Sequence, residues 1–321
     1  MGMLIDGQWS DRWYDTRKHR GAFKREDARY RNSITVAGES GFKAEPDRYH
    51  LYVSLACPWA HRTLIFRAIK RLEDYISVSV VSPRMLDNGW SYDTQTGSTG
   101  DPVNNADYHH QIYTKDTPDY TGRVTVPVLW DKQSSRIVSN ESSEIIRMFN
   151  AAFNHLTGDS QDYYPEGQRR DIDAINDKVY DTINNGVYKT GFATDQNIYE
   201  KAYTELFDSL DKLEELLGRQ RYLVGSTITE ADWRLFTTLV RFDAVYHGHF
   251  KCNRKKLMEY PNLWAYTCEL YQWPGVAGTV NMQHIKEHYY YSHDMINPTR
   301  IVPVGPELDF FQPHEREKLA G

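Results

Sequence analysis

Cysteine is scarce in this chain. Only three occur in 321 residues, Cys57, Cys252 and Cys268, with no C-x-x-C pair among them. An odd count without paired Cys/His spacing argues against a disulfide scaffold and against a structural zinc site. It suits a reducing compartment. Positive charge is not in excess either, with 38 Lys and Arg against 44 Asp and Glu and a net charge of −6. That leaves no basic footprint for nucleic acid and no polybasic patch for a membrane surface. No stretch approaches the roughly 18 apolar residues of a membrane span. Met1 to Trp13 lacks the apolar centre of a signal peptide. The expectation is a cytoplasmic protein with no metal, no nucleic acid and no membrane among its partners. What is plentiful is aromatic residues, 13% of the chain, with 23 tyrosines whose hydroxyls must be hydrogen-bonded or serve a site.

The length allows two domains. Residues 1–48 are polar and read as an N-terminal arm pinned by a few apolar side chains. A β-type run begins at Tyr49-His50-Leu51-Tyr52-Val53 and leads into Cys57-Pro58-Trp59-Ala60. Ala60, Leu64, Ile65, Ala68, Ile69 and Leu72 then recur mostly at three- and four-residue intervals, which predicts a helix. Ile76–Val81 alternates as a second strand, and a polar insertion from Pro83 to about Asp107 carries Trp90. Val124–Trp130 reads as a third strand broken by Pro127, and Arg136–Val138 as a fourth. Asn140-Glu141-Ser142-Ser143 opens a helix with side-chain acceptors where N–H groups are exposed. From Gly167 onward the patterns are helical: 170–188, 196–217, 229–247, 261–272 and 275–290. Thr229-Glu230-Ala231-Asp232 has the spacing of a reciprocal capping box, with Asp in place of the usual Glu. Residues 298–321 read as a surface tail.

Cys57 sits at a strand-to-helix corner, with Pro58 pre-set for the first helical turn. A thiol with the ordinary pKa near 8.5 is only about 3% thiolate at pH 7. A helix N-terminus favours the thiolate, which is the species that attacks sulfur. The residue three after Cys57 is Ala60, so no resolving thiol is adjacent. A mixed disulfide at Cys57 must be opened by a thiol from solution, and glutathione is the abundant one. Cys268 lies in an amphipathic helix and is explained by packing; Cys252 has no visible partner residue in sequence. Trp90, a large aromatic in a polar insertion, has little core to join on this reading.

Several blocks together carry a family resemblance. They are Cys57-Pro58-Trp59-Ala60-His61-Arg62, Trp90 in its insertion, Arg123-Val124-Thr125-Val126-Pro127-Val128-Leu129-Trp130 and Asn140-Glu141-Ser142-Ser143-Glu144-Ile145. To these add Asn185-Gly186-Val187-Tyr188-Lys189-Thr190-Gly191-Phe192-Ala193, Leu223-Val224-Gly225-Ser226 with Thr229, Ala231 and Asp232, and His284-Ile285-Lys286-x-His288-Tyr289-Tyr290. From about residue 21 to 297 the chain resembles glutathione S-transferases of the omega-like kind, and more narrowly the glutathionyl-hydroquinone reductases, the xi class. One departure is Tyr30-Arg31-Asn32-Ser33-Ile34, where the family tends to show Phe and Trp; it bears on packing of the arm.

The resemblance implies an α/β plus all-α fold: a thioredoxin-like, glutathione-binding domain over 49–155, then a glutathione S-transferase helical domain over 165–297 that faces the substrate. It implies a homodimer, glutathione as co-substrate, and a glutathionyl-hydroquinone as the other substrate. Cys57 would be the nucleophile and Tyr188 the acid that protonates the departing ring. Tyr246 and Tyr289 would donate hydrogen bonds to the Cys57 sulfur and favour its thiolate. Trp90, Arg123, Val124, Thr125, Val126, Glu141 and Ser142 would hold glutathione. Val126 would pair through its main chain beside a cis proline, while Glu141 and Ser142 would receive the γ-glutamyl group at a helix N-terminus. His61 and Arg62 remain open between helix surface and partner contacts. Two other readings stand beside this one: an omega-like enzyme acting on dehydroascorbate or protein–glutathione disulfides, and a non-catalytic scaffold. The Trp90 insertion and Val187-Tyr188-Lys189 weigh against the first, and the unpaired corner cysteine against the second.

Overall fold

The structure is a computed structural model that describes residues 2–319. The described residues divide into two compact units: 2–13, 26–161 and 278–300 in the first, and 14–25, 162–277 and 301–319 in the second.

The first unit is built on two sheets. Strands β1 (Met3–Ile5) and β2 (Gln8–Ser10) form a hairpin. The main sheet uses β3 (Tyr49–Val53) and, after helix α1 (Pro58–Ile69), β4 (Ile76–Val80). Every residue of β3 is buried, because it lies between parallel β4 and antiparallel β6 (Val128–Asp131). The His50 side chain on this strand is met by Ser77 Oγ at 2.7 Å. β7 (Arg136–Ser139) completes the order β4-β3-β6-β7, and α3 (Ser142–Ala151) packs beside α1.

Two expectations change here. The run 124–130 is not one strand. The residues just before it join the hairpin, where β5 (Gly122–Arg123) pairs with β1, and only Val128 onward enters the main sheet. The Val126–Pro127 peptide between them is cis, and proline has no N–H to give a ladder. In addition, a helix α2 (His110–Asp116) stands where the sequence pattern predicts no element. The arm contributes more than pinning. Trp9 on β2 donates from Nε1 to the Asp87 carbonyl at 2.8 Å and stacks on His110 at 4.8 Å between ring centres. Gly89 lies against that ring with φ +73°, and a Cβ there would come within 2.7 Å of the Trp9 ring. Tyr30, one of the departures from the family pattern, stacks on Tyr120 at 5.6 Å and donates to Thr117 Oγ1 at 3.0 Å. A single helical turn, α4 (Asn154–Thr157), also belongs to this unit.

The second unit is helical, and its first long helix is α5 (Arg169–Val179). The helix expected over 170–188 is interrupted. A wide π-type turn over Tyr180–Asn184, closed by Asn185 N–H to the Tyr180 carbonyl at 2.9 Å, precedes α6 (Gly186–Gly191). α7 (Gln196–Leu217) is capped by Asp195, which accepts from Asn197 and Ile198 N–H groups. α8 (Glu230–Leu239) is buried on all sides and opens with the expected Thr229/Asp232 capping box. Asp232 also accepts from Leu223 N–H at 2.9 Å and Tyr266 O–H at 2.7 Å. A second π-type turn, Phe242–Tyr246, comes after α8 in place of the helix expected to run to His247. Each such turn adds a residue to the i→i+4 ladder and rotates the succeeding side chains by about 100°. α9 (Pro261–Tyr271) starts on its proline.

α10 (Met282–Ser292) returns to the first unit. It begins later than the expected 275, at the Asn281 cap that accepts from His284 N–H at 2.9 Å, because Gly275 at φ +86° sits in a turn. The terminal segment is mostly exposed or half-buried, with Phe310 and Arg316 buried in the second unit. Arg316 is buried, donating to the Leu217, Gln220 and Arg221 carbonyls and to Glu269. Among the described residues no helix is long and apolar enough to cross a membrane.

Candidate active site

The corner at Cys57 forms because β3 ends at Val53 and Pro58 occupies the first helical position of α1. Cys57 is the N-cap, in extended conformation at φ −75°, ψ 121°, and its carbonyl accepts the first helical N–H, from His61, at 2.9 Å. Its side chain makes no capping bond, and it stands at the N-terminus of α1, where first-turn N–H groups carry partial positive charge. These partial positive charges favour a thiolate. Cys57 is half-buried, whereas Cys252 and Cys268 are buried. Burial pushes the Cys268 thiol up to about 11 and that of Cys252 further still. Only Cys57 combines access with a favourable field.

Across from the sulfur lies the cis-proline loop. Cys57 Sγ is 3.6 Å from the Val126 carbonyl oxygen. Val124 and Val126 are buried, and the Thr125 carbonyl is taken by Tyr113 O–H at 2.9 Å and by His109 Nε2 at 3.0 Å. The next loop delivers Glu141 as the N-cap of α3, with Oε1 accepting from Ser143 N–H at 2.9 Å and Ser143 Oγ at 2.8 Å. Ser142 is buried at the first position of that helix. Its Oγ stands 3.5 Å from Arg62 Nη1. Arg62 is 1% exposed and lies over the Trp59 ring at 4.5 Å. His61 is 0% exposed, its Nε2 2.8 Å from Thr279 Oγ1. Neither residue is on a helix surface. Thr279, just ahead of α10 and remote in sequence, is what meets His61.

Trp90 departs from its expectation. The insertion around it is polar, yet the ring is 4% exposed and stacks on His288 at 4.7 Å. Its Nε1 has no hydrogen-bond partner among the described residues. His288 is fixed by the Pro83 carbonyl at 3.0 Å and touches Tyr289 edge-on at 5.3 Å. Arg123 turns its guanidinium to the arm, reaching Glu26 Oε1 at 3.4 Å, the Trp13 carbonyl at 3.4 Å and the Arg12 carbonyl.

In the second unit, Tyr188 on α6 and Tyr246 at the end of its π-type turn face each other with ring centres 6.1 Å apart. Tyr188 also meets Phe250 at 5.5 Å, Phe192 at 6.1 Å and Phe23 at 6.2 Å. The Arg25 guanidinium lies 5.1 Å over the Tyr188 ring and donates to Asn185 Oδ1 at 3.0 Å. The structure thus assembles two groups: Cys57 with the Val126 loop, and Tyr188 with Tyr246. Sequence reasoning missed His109 and Tyr113, and gave no role to Arg62 or His288 although both stand in the quoted blocks. A buried arginine or histidine carries no mark in the pattern, since its burial comes from segments far along the chain.

Comparison with known proteins decides the family. The model of the glutathione S-transferase N-terminal domain matches residues 56–152, and that of the C-terminal domain matches residues 196–267. The chain is 54% identical to glutathionyl-hydroquinone reductase YqjG of Escherichia coli K12, covering 100% of each chain. It is 54% identical to glutathionyl-hydroquinone reductase PcpF of Sphingobium chlorophenolicum, over 95% of this chain and 96% of that one. The glutathione-bound structure of YqjG aligns with a TM-score of 0.91 at 52% identity, covering 98% and 99%. A xi-class glutathione S-transferase from Natrialba magadii aligns at 0.93 and 49% identity, covering 100% and 98%. The chain belongs to the glutathionyl-hydroquinone reductases, the xi class of glutathione S-transferases.

In this glutathionyl-hydroquinone reductase two polar segments of the first unit stand near the corner helix α1. The Val126 carbonyl accepts from the Cys57 thiol, and α3 opens with Ser142 at its first position and the Glu141 carboxylate as its cap. Among the described residues no group of three His, Cys, Asp or Glu side chains could hold a metal ion.

Proposed function

We propose that the protein reduces glutathionyl-hydroquinones to hydroquinones with glutathione, through a disulfide formed at Cys57. The observation that carries this is the half-buried thiol at the N-cap of α1, 3.6 Å from the Val126 carbonyl, in a chain 54% identical to two glutathionyl-hydroquinone reductases.

Cys57 thiolate attacks the glutathionyl sulfur of the conjugate. The S–S bond forms as the sulfur–aryl bond breaks, and the electron pair left on the ring carbon takes the Tyr188 proton. Hydroquinone departs and Tyr188 recovers its proton from solvent. The Cys57 disulfide is then opened by a second glutathione thiolate, which returns Cys57 to the thiolate and releases oxidised glutathione. The conjugate is reduced by two electrons, and two glutathionyl thiols are joined.

In this reading Val126 pairs with the cysteinyl main chain, and Glu141 with Ser142 receives the γ-glutamyl end. Val124, Thr125, Arg123 and Trp90 complete the glutathione side, while Tyr246 and Tyr289 favour the thiolate. The arm covers 1–48, the glutathione domain 49–155, the substrate domain 165–297 and the tail 298–321. The enzyme works in the cytoplasm as a homodimer, which sedimentation would check.

The direct test is mass spectrometry after incubation with a glutathionyl-hydroquinone and no free glutathione. One glutathione is expected on the peptide containing Cys57. Substantial turnover by Cys57→Ser or Cys57→Ala would reject covalent catalysis.

A further inference from the structure

The two segments assigned to glutathione, Arg123–Val126 and Glu141–Ser142, are tied together by the buried side chains of Tyr113 and Asn140. The Tyr113 phenol oxygen on α2 is 2.9 Å from the Thr125 carbonyl, 3.2 Å from the Thr125 nitrogen and 3.1 Å from Asn140 Nδ2. A phenol has one O–H and two lone pairs. It donates to the carbonyl, accepts from the other two, and is thereby saturated. The second Asn140 amide hydrogen points to Thr125 Oγ1 at 3.4 Å. Asn140 is held in turn by Tyr30, accepting its N–H at Oδ1 and giving its own N–H to the Tyr30 carbonyl, both at 3.1 Å.

His109 finishes the set. Its Nε2 is 3.0 Å from the Thr125 carbonyl and its Nδ1 is 2.8 Å from the Tyr92 hydroxyl. A carbonyl only accepts, so the proton is on Nε2 and Tyr92 donates to Nδ1. Burial keeps this imidazole neutral, lowering its pKa to about 4. Tyr92, His109, Tyr113 and Asn140 are all buried. Inside a low-dielectric interior an unmade bond is costly, so such a network has one arrangement.

We propose that Tyr113 and Asn140 are positioning residues that set the span between the main chain at Val126 and the helix N-terminus at Ser142, and so fix the length of the glutathione cradle. This rests on the assignment of those two segments to glutathione. A ligand held at both ends gains affinity from a preformed span, so loosening the tie should weaken binding more than it slows turnover.

The test measures the Kd of glutathione by calorimetry for wild type, Tyr113→Phe and Asn140→Ala, with KM and kcat for glutathione alongside. Each variant is expected to raise Kd and KM about tenfold while kcat at saturating glutathione stays within about twofold. A merely structural role would lower the melting temperature and the active fraction and leave Kd unchanged. An unchanged Kd in the variant that folds overturns the proposal. His109→Gln, which retains an N–H donor for Thr125, is expected to bind more tightly than His109→Phe; equal affinity in that pair also overturns it. Wild-type protein that fails to bind glutathione would instead overturn the assignment underneath, which keeps the two failures apart.

Discussion

Replacing Tyr188 by Phe separates the two half-reactions. The substitution removes one oxygen and keeps the ring that packs on Phe250, Phe192, Phe23 and Tyr246. The Arg25 guanidinium keeps its place 5.1 Å above the ring. Packing is therefore conserved, and what is lost is a proton donor. Positioned acids contribute about 10²–10⁴ in rate. Tyr188 is 9% exposed among four aromatic rings, so water is a poor substitute and the loss should be at least about 100-fold, or about 2.7 kcal/mol of barrier. Only the step that protonates carbon should suffer. In a single turnover without free glutathione, hydroquinone release should slow by about that factor. Mixing the preformed Cys57–glutathione disulfide with glutathione should release oxidised glutathione at the wild-type rate. A first step slowed less than about threefold, or both steps slowed alike, would refute the role given to Tyr188.

Other outcomes rest on the same geometry. Iodoacetamide at pH 7 should label native protein once, at Cys57, because burial raises the Cys268 thiol to about 11 and Cys252 further; a second native label would contradict that. Arg316→Met should destabilise the chain by about 1–3 kcal/mol in urea, since it takes a charged donor from four carbonyls and from buried Glu269, which keeps Arg221. A loss below about 1 kcal/mol would show the tail to be ornamental. His50, His109 and His249 are each lowered by burial from 6.5 to about 4. The unfolded chain binds these protons first, so the stability they contribute is complete above pH 6.5 and falls as pH drops toward 4. Between pH 7 and 5 the fall should be about 2 kcal/mol for each imidazole. Urea midpoints at the two values would measure it, and His109→Gln should remove one share of the slope.

Much of the site is legible in the chain itself. The thiol at a strand-to-helix corner, Pro58 behind it, and the Thr229/Asp232 capping box depend on neighbours within a few residues, and local pattern records such neighbours faithfully. Joint motifs carried the family, because many loose matches in the right order are jointly specific. The strand at Tyr49–Val53 and the helix at Gln196–Leu217 are equally plain, since their patterns are unbroken.

Tertiary structure alone decided the rest. Pro127 marks a break in the sequence, but which sheet takes the residues before and after it depends on their neighbours, here β1 and β3. A π-type turn adds a single residue and turns the side chains that follow by about 100°, which determines the faces Tyr188 and Tyr246 present. Burial of Arg62, His61 and Trp90 comes from segments around α1, α3 and α10 meeting across long separations in sequence. Sequence by itself determined the family and singled out the corner thiol at Cys57 as the candidate nucleophile. The three-dimensional meeting of distant segments determined what holds that atom's surroundings in place, because a hydrogen bond such as Tyr113 to Thr125 exists only once both ends are buried together.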